Sequence, residues 1–457
     1  MKNRYGWRVL LLLVLTGCVF VGCFLTGCGK KDSGKETTGD IDSEEETTTG
    51  GIITETEEID DVTLDGMSAD ILSTMTREEK AAQMIFAGLD CLNMGKKQSK
   101  TLTGGMKNNL KSWKPGGIIL YSKNIEDPTQ LKELITQLKE ALSLPLMIGV
   151  DEEGGANSRV ASVSNMGIEA QPDAASIGAT GEDANAFESG DQIGAYLKEL
   201  GFDVDFAPVA DIAAETEIAA ETEAEEDTST DEITLKEDIT KEDTAKENAS
   251  SENTVNENRR SFGTDADTVS FMTSSFVSAI QQQGVSAVLK YFPGQGALEN
   301  DTRKEAADIS ETIKELREKE FQPFEAGIEA GADMVMVGHA SCSMITGNQT
   351  PASLSELMVT EVLRKELRFE SVIITDSMNK KAITDMYTID DAAVRAVNAG
   401  VDMLLCPDNG QEVYDAIVAG LKDGKIEESR VDEAVTRILK LKIKKGLIPL
   451  DTDLIEH

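Results

Sequence analysis

Eight short apolar runs recur along the chain, separated by segments of helical period. They are QMIFAG (83–88), GGIILY (116–121), LMIGVD (146–151), VDFAPV (204–209), VSAVLKYF (285–292), DMVMVGH (333–339), SVIITD (371–376) and DMLLCP (402–407). Each is nearly continuous in apolar residues and does not alternate with polar ones. That is the pattern of a parallel strand buried on both faces. Between them, DPTQLKELITQLKEAL and DDAAVRAVNAG carry apolar residues at three- and four-residue spacing, as amphipathic helices do. The TREE stretch at Thr76–Glu79 has the form of a capping box and opens a helix ahead of AAQMIFAGL. Eight strand–helix units in roughly 350 ordered residues predict an α/β fold, a (β/α)8 TIM-like barrel, as one domain over residues 64–457.

Two segments break this pattern. Residues 29–63 are rich in Thr, Glu, Asp, Gly and Ser, and residues 213–258 hold sixteen acidic and three basic side chains. Neither has an apolar face that could offset the entropy of ordering it. The expectation is a disordered tether before the barrel and a disordered acidic insertion after the fourth strand, a solvated spacer or an acidic interaction arm. The whole chain of 457 residues has a net charge of −39. So acidic a surface excludes nucleic acid as a partner, because phosphate binding needs basic surface.

The first 28 residues give the chain an address. Lys2, Arg4 and Arg8 precede a long apolar run that ends in LTGC at Leu25–Cys28, followed by polar GKKDSGKE. This resembles a bacterial lipoprotein signal with Cys28 as the lipidated residue; the alternative is an uncleaved anchor. A lipid on Cys28 would anchor the exported protein to the outer face of the bacterial cell membrane. Cys91, Cys342 and Cys406 remain, too far apart to suggest a disulfide framework or a metal site. No cofactor is expected, whether metal, nucleotide or redox group.

Chemistry is expected at the strand ends. Asp151 ends the third apolar run, Lys290 lies near the end of the fifth, His339 ends the sixth and Asp376 ends the seventh. In a barrel those ends meet on one rim, so the four predict a polar pocket. The local sequences around them are GVDEEGGANSR (149–159), DFAPVAD (205–211), RRSFG (259–263), KYFPGQG (290–296) and VIITDSMNKKAI (372–383). Together and in this order they resemble family-3 glycoside hydrolases, in particular the bacterial β-N-acetylhexosaminidases. The resemblance implies a retaining hydrolase of N-acetylglucosamine-containing cell-wall glycans. It implies Asp376 as nucleophile, and Asp151, Arg159, Arg260, Lys290 and Tyr291 as sugar-binding residues.

It also exposes a departure. Such family members read K-H-F-P-G-H-G, then an Asp-Ser-His triplet whose His is the general acid/base. Here the matching residues are Tyr291, Gln295 and the triplet Asp301-Thr302-Arg303, so all three histidines are replaced. A guanidinium does not give up a proton near neutral pH and cannot act as that acid. Asp301 remains from the acid/base loop, and Glu299 and Glu305 are the candidate substitute acids. Three readings follow: a glycosidase with a relocated acid, a catalytically impaired barrel that binds surface glycans, and a solute-binding lipoprotein with two lobes and a hinge.

Overall fold

The computed structural model describes residues 59–93, 98–214, 259–296, 298 and 301–450. The expectations for residues 1–58, which include Cys28 and most of the tether, and for residues 215–258 lie outside these. Each of the eight apolar runs contains one strand. The strands are β1 (Ile85–Gly88), β2 (Gly117–Ile119), β3 (Met147–Val150), β4 (Val204–Asp205), β5 (Ser286–Phe292), β6 (Met334–Val337), β7 (Val372–Thr375) and β8 (Leu404–Cys406). All pair in parallel, in the order β7-β6-β5-β4-β3-β2-β1-β8. A parallel bridge between Ile374 and Met403 closes the ring, with Thr375 N–H donating to Met403 O at 3.0 Å. The fold is a (β/α)8 barrel, and with it the two-lobed solute-binding reading falls.

Two boundaries differ from expectation. A helix runs over Asp61–Thr74, with Asp60 accepting from Thr63 N–H at 2.7 Å as its N-cap. It lies against the closing helix Glu428–Lys444, so residues 61–63 belong to the folded unit and not to the tether. Ala213 is buried as well, so the described chain passes the expected start of the insertion. The capping box forms as predicted: Glu79 N–H donates to Thr76 Oγ1 and Thr76 N–H to Glu79 Oε2.

The barrel interior explains the glycines within the strands. Phe86 meets Phe206 edge-on, with ring centroids 5.2 Å apart. A Cβ on Gly117 would fall 2.5 Å from the Phe86 ring, and one on Gly149 2.8 Å from the Phe206 ring. Two large rings therefore fill the space that two neighbouring strands leave empty. At the opposite end, strands are tied down by buried aspartates. Asp203 pairs with Lys139 (2.6 Å), Asp333 with Lys444 (3.0 Å), and Asp402 with Arg364, Arg430 and Arg437 (2.6–3.0 Å). These ion pairs sit at the N-terminal ends of β4, β6 and β8, away from the rim that carries the site.

The described chain stops after β4 at Ala214 and resumes at Arg259. Its two ends are joined there. Ala213 N–H donates to Gly263 O at 2.9 Å, and Ser261 Oγ donates to Asp211 O at 2.7 Å.

Candidate active site

A polar cavity of about 420 Å³ opens at the C-terminal ends of the strands. Its floor begins with the loop after β3. Glu152 is fully buried and accepts from the backbone N–H groups of Arg159, Val160 and Ala161 (2.6–3.0 Å) and from Tyr196 Oη (2.7 Å). That single carboxylate folds the loop back and brings Arg159 to the cavity wall. Gly154 turns the same loop at φ +85°, where a Cβ would strike Pro172 O. On either side of Glu152, Asp151 and Glu153 face the cavity.

β5 supplies the next residues through an irregularity. In its ladder with β6, Lys290 pairs with Met336 and Phe292 with Val337, so Tyr291 is an extra residue. A bulge breaks the in–out alternation of the strand. Lys290 can then reach the carboxylates of the β3 loop while the adjacent Tyr291 also lines the cavity. Asp211 fixes the turn that follows, accepting from Tyr291 N–H (3.2 Å) and Gln295 N–H (3.0 Å). Burial pushes the Asp211 carboxyl up to about 6.

These segments build one charge cluster. Lys290 Nζ lies 2.9 Å from Asp151 Oδ1 and 2.6 Å from Glu153 Oε1. Arg260 forks onto Glu153 (Nε–Oε2 2.6 Å, Nη2–Oε1 2.7 Å) and donates to Tyr291 Oη at 2.7 Å. Burial would raise the Glu153 carboxyl, but Arg260 and Lys290 outweigh it and hold it at about 2. The same partners hold Lys290 and Arg260 protonated above their ordinary values, against a burial that works the other way. Glu153, Lys290 and Arg260 are therefore ionised, and their contacts fix the geometry of the cluster. It presents carboxylate acceptors and cationic donors together, which suits a ligand rich in hydroxyl groups.

Asp376 stands at the end of β7 in the same cavity. Its Oδ1 accepts from Ser377 N–H at 2.6 Å, and its Oδ2 pairs with Lys380. Burial raises this carboxyl, but Lys380, His339 and the Ser377 N–H more than offset that and keep it below the ordinary carboxylate value. Asp376 is thus an ionised, well-oriented carboxylate.

The structure brings together Asp151, Arg159, Arg260, Tyr291, Asp301 and Asp376, all of which line this cavity, while Lys290 is buried beneath it and paired with Asp151 and Glu153. Other expectations fare differently. His339 is at the end of β6 but does not line the cavity. It is buried behind the Asp376 loop, with Nδ1 2.8 Å from Ser353 Oγ and Nε2 3.0 Å from Ser377 O. Burial lowers its pKa to about 4, so it is a neutral brace and not a proton donor to the cavity. Glu305 is exposed and does not line the cavity, and Glu299 lies outside the described residues. Asp301 does line it but is clamped by Arg303, whose Nε and Nη2 donate to Oδ2 at 2.8 and 2.7 Å. Burial raises Asp301 and Arg303 outweighs it, which leaves the carboxyl ionised and without a proton to give.

Two site residues escaped the sequence reading. Glu153 was visible only as the second Glu of DEEGG, and Lys380 only as a lysine after the Asp376 turn. The signal for Glu153 was the doubled carboxylate beside Asp151. Among the described residues, no group of three or more His, Cys, Asp or Glu side chains has an arrangement that would hold a metal ion.

Comparison with known proteins agrees with this picture. The family model described as "Glycosyl hydrolase family 3 N terminal domain" matches residues 65–234 and 248–441. A β-N-acetylglucosaminidase/β-glucosidase from Cellulomonas fimi is 29% identical over 341 residues, 73% of this chain and 53% of that protein. The chain thus spans about half the length of that relative. A β-hexosaminidase from Nitrosomonas eutropha is 27% identical over 339 residues, 71% of this chain and 85% of its own. Among solved structures, a family-3 β-N-acetylglucosaminidase from Paenibacillus sp. str. FPU-7 superposes with a TM-score of 0.68 at 26% identity, covering 82% of this chain and 63% of that one. A β-N-acetylhexosaminidase from Beutenbergia cavernae gives 0.66 at 25% identity, covering 81% and 99%. The chain belongs to glycosyl hydrolase family 3, and its barrel is the family's N-terminal domain.

Proposed function

We propose that this barrel is a retaining β-N-acetylhexosaminidase for N-acetylglucosamine-containing glycans of the cell wall, held at the outer face of the membrane by a lipid on Cys28. One observation carries the reading: an ionised, buried Asp376 at the end of β7, in a cavity that it shares with the Asp151–Lys290–Glu153–Arg260 cluster. The hexosaminidase names of the similar proteins support the substrate class.

In this mechanism the sugar hydroxyls bind to Asp151, Lys290 and Arg260, which are pre-organised by Glu153. An Asp376 oxygen attacks the anomeric carbon as the bond to the leaving oxygen breaks, giving a glycosyl ester. Water then attacks the same carbon and releases Asp376, so two inversions give net retention. Among the described residues, the leaving oxygen finds no ready acid nearby. Arg303 is a permanent cation, and Asp301 is ionised in its grip. It therefore departs with little protonation, which favours leaving groups that are stable as anions.

A second reading, a surface barrel that binds such glycans without cleaving them, rests on the pairing of both rim carboxylates: Asp301 with Arg303, and Asp376 with Lys380. The test compares release of dinitrophenol from its N-acetylglucosaminide with cleavage of chitobiose, beside Asp376→Ala and calorimetric binding of N-acetylglucosamine. Rapid phenol release, slow chitobiose cleavage and loss of both in Asp376→Ala are expected. Sugar binding with no turnover of either substrate would replace the enzyme with the binding barrel.

A further inference from the structure

Asp376 has no idle oxygen. Oδ1 takes the Ser377 N–H and Oδ2 takes the Lys380 ammonium. Lys380 is well placed to stay there. It lies on a turn fixed by Met378 N–H to Leu405 O (2.9 Å) and by Ala382 N–H to Thr302 O (3.2 Å). Its ammonium also sits 5.2 Å from the centre of the Tyr291 ring, a favourable position for a cation over an aromatic face. Its side chain is only 15% exposed. A sugar whose anomeric carbon is to meet Asp376 must occupy this same space.

We propose that Lys380 is a positioning residue that restrains the nucleophile: it holds Asp376 in the resting site and must be displaced by the bound sugar before Asp376 attacks. The proposal rests on Asp376 being the nucleophile. A cation at contact distance draws charge from a carboxylate and makes it a weaker nucleophile, and desolvation of the site strengthens that effect. No proton is transferred in this step. The bond formed is from Asp376 to the anomeric carbon, and the bond broken is to the leaving group, which takes the electron pair.

Other charges near Asp376 do not duplicate the restraint. His339, from the end of β6, is neutral at ordinary pH. On the β5 loop, Arg303 is spent on Asp301. From the β8 side, Asp408 accepts from Asn379 Nδ2 at 2.9 Å. From the β3 side, Asp151 is paired with Lys290, and Arg159 stands at the cavity wall beside Tyr121.

The test reads the nucleophile directly and needs no acid catalysis. A 5-fluoro N-acetylglucosaminyl fluoride traps the glycosyl ester, and mass spectrometry measures its rate of formation and maps it to Asp376. Lys380→Met removes the cation, and Lys380→Gln removes the charge while keeping a donor. Folding of both is checked by circular dichroism and melting. Each variant should be labelled at least about tenfold faster than the parent, the scale set by losing one charged hydrogen bond. The acid limb of the labelling rate should also move to higher pH, because Asp376 loses the group that lowers its pKa. Labelling at or below the parent rate in folded variants, or no labelling of any form, overturns the proposal. If the parent turns over no aryl glycoside while Lys380→Met is labelled at Asp376, the hydrolase reading of the native chain fails and the restraint stands.

Discussion

Glu153→Gln is the most informative single change in the cluster. Among the described residues, Glu153 is the carboxylate that pairs with both Lys290 and Arg260. Its pKa falls from the ordinary 4.5 to about 2 in the folded protein. At 1.36 kcal/mol per tenfold change, that drop is worth about 3 kcal/mol. The rises at Lys290 and Arg260 describe the same contacts and are not added to it. The sign is fixed by where the proton goes. As pH falls, the unfolded chain binds a proton at Glu153 first, near 4.5, while the native chain resists until about 2. The stabilisation is therefore complete above pH 4.5 and is lost as pH drops towards 2. Glutamine cannot titrate, so the parent-minus-variant difference isolates this group from every other carboxylate. Urea unfolding followed by circular dichroism, at steps from about pH 6 to about pH 2, should give a difference of about 3 kcal/mol at the upper end. The difference should shrink steadily below pH 4.5. A difference that stays constant across that range would refute the reasoning, because Glu153 would then not be held ionised by its two partners.

Arg303→His exchanges the guanidinium beside Asp301 for an imidazole that can donate a proton. Turnover of chitobiose should rise by up to about 10²–10⁴-fold and that of dinitrophenyl glycosides far less; equal gains on both would show that the leaving oxygen was not short of a proton. Lys442→Met addresses a fully buried ammonium that donates to Gln83 Oε1 at 2.6 Å and whose pKa burial lowers to about 7. The unfolded chain keeps that proton to about 10.5, so parent stability rises between those values; Met should be stabilising at about pH 6, with an advantage that shrinks at about pH 9 in denaturant titrations.

The barrel was legible because its strands are buried on both faces. Each run from QMIFAG to DMLLCP had to be apolar on both sides of the ribbon, and each contains a strand. Its edges were less legible. Helix Asp61–Thr74 carries too weak an apolar stripe to stand out from the acidic residues before it, and its place is set by packing on Glu428–Lys444. In the site, Asp151, Arg159, Arg260, Lys290 and Asp376 could be named because each sits in a motif or at a strand end. Their partners could not. Nothing in sequence says that Glu153 will share an ion pair with Lys290 and Arg260, each more than a hundred residues away. Nor does the position of His339 at a strand end reveal that the Asp376 loop covers it. Strand ends predict a rim, whereas facing inwards or outwards at that rim is decided by loops.

The pair of hydrogen bonds joining residues 211–213 to 261–263 acts as a clasp. Arg260 stands just inside it, one residue from the point where the chain re-enters the described barrel. The clasp uses main-chain groups at residues 211, 213 and 263 and a side chain at Ser261. The guanidinium that grips Glu153 is therefore anchored largely by main-chain geometry, with Ser261 as the side chain on which the clasp depends.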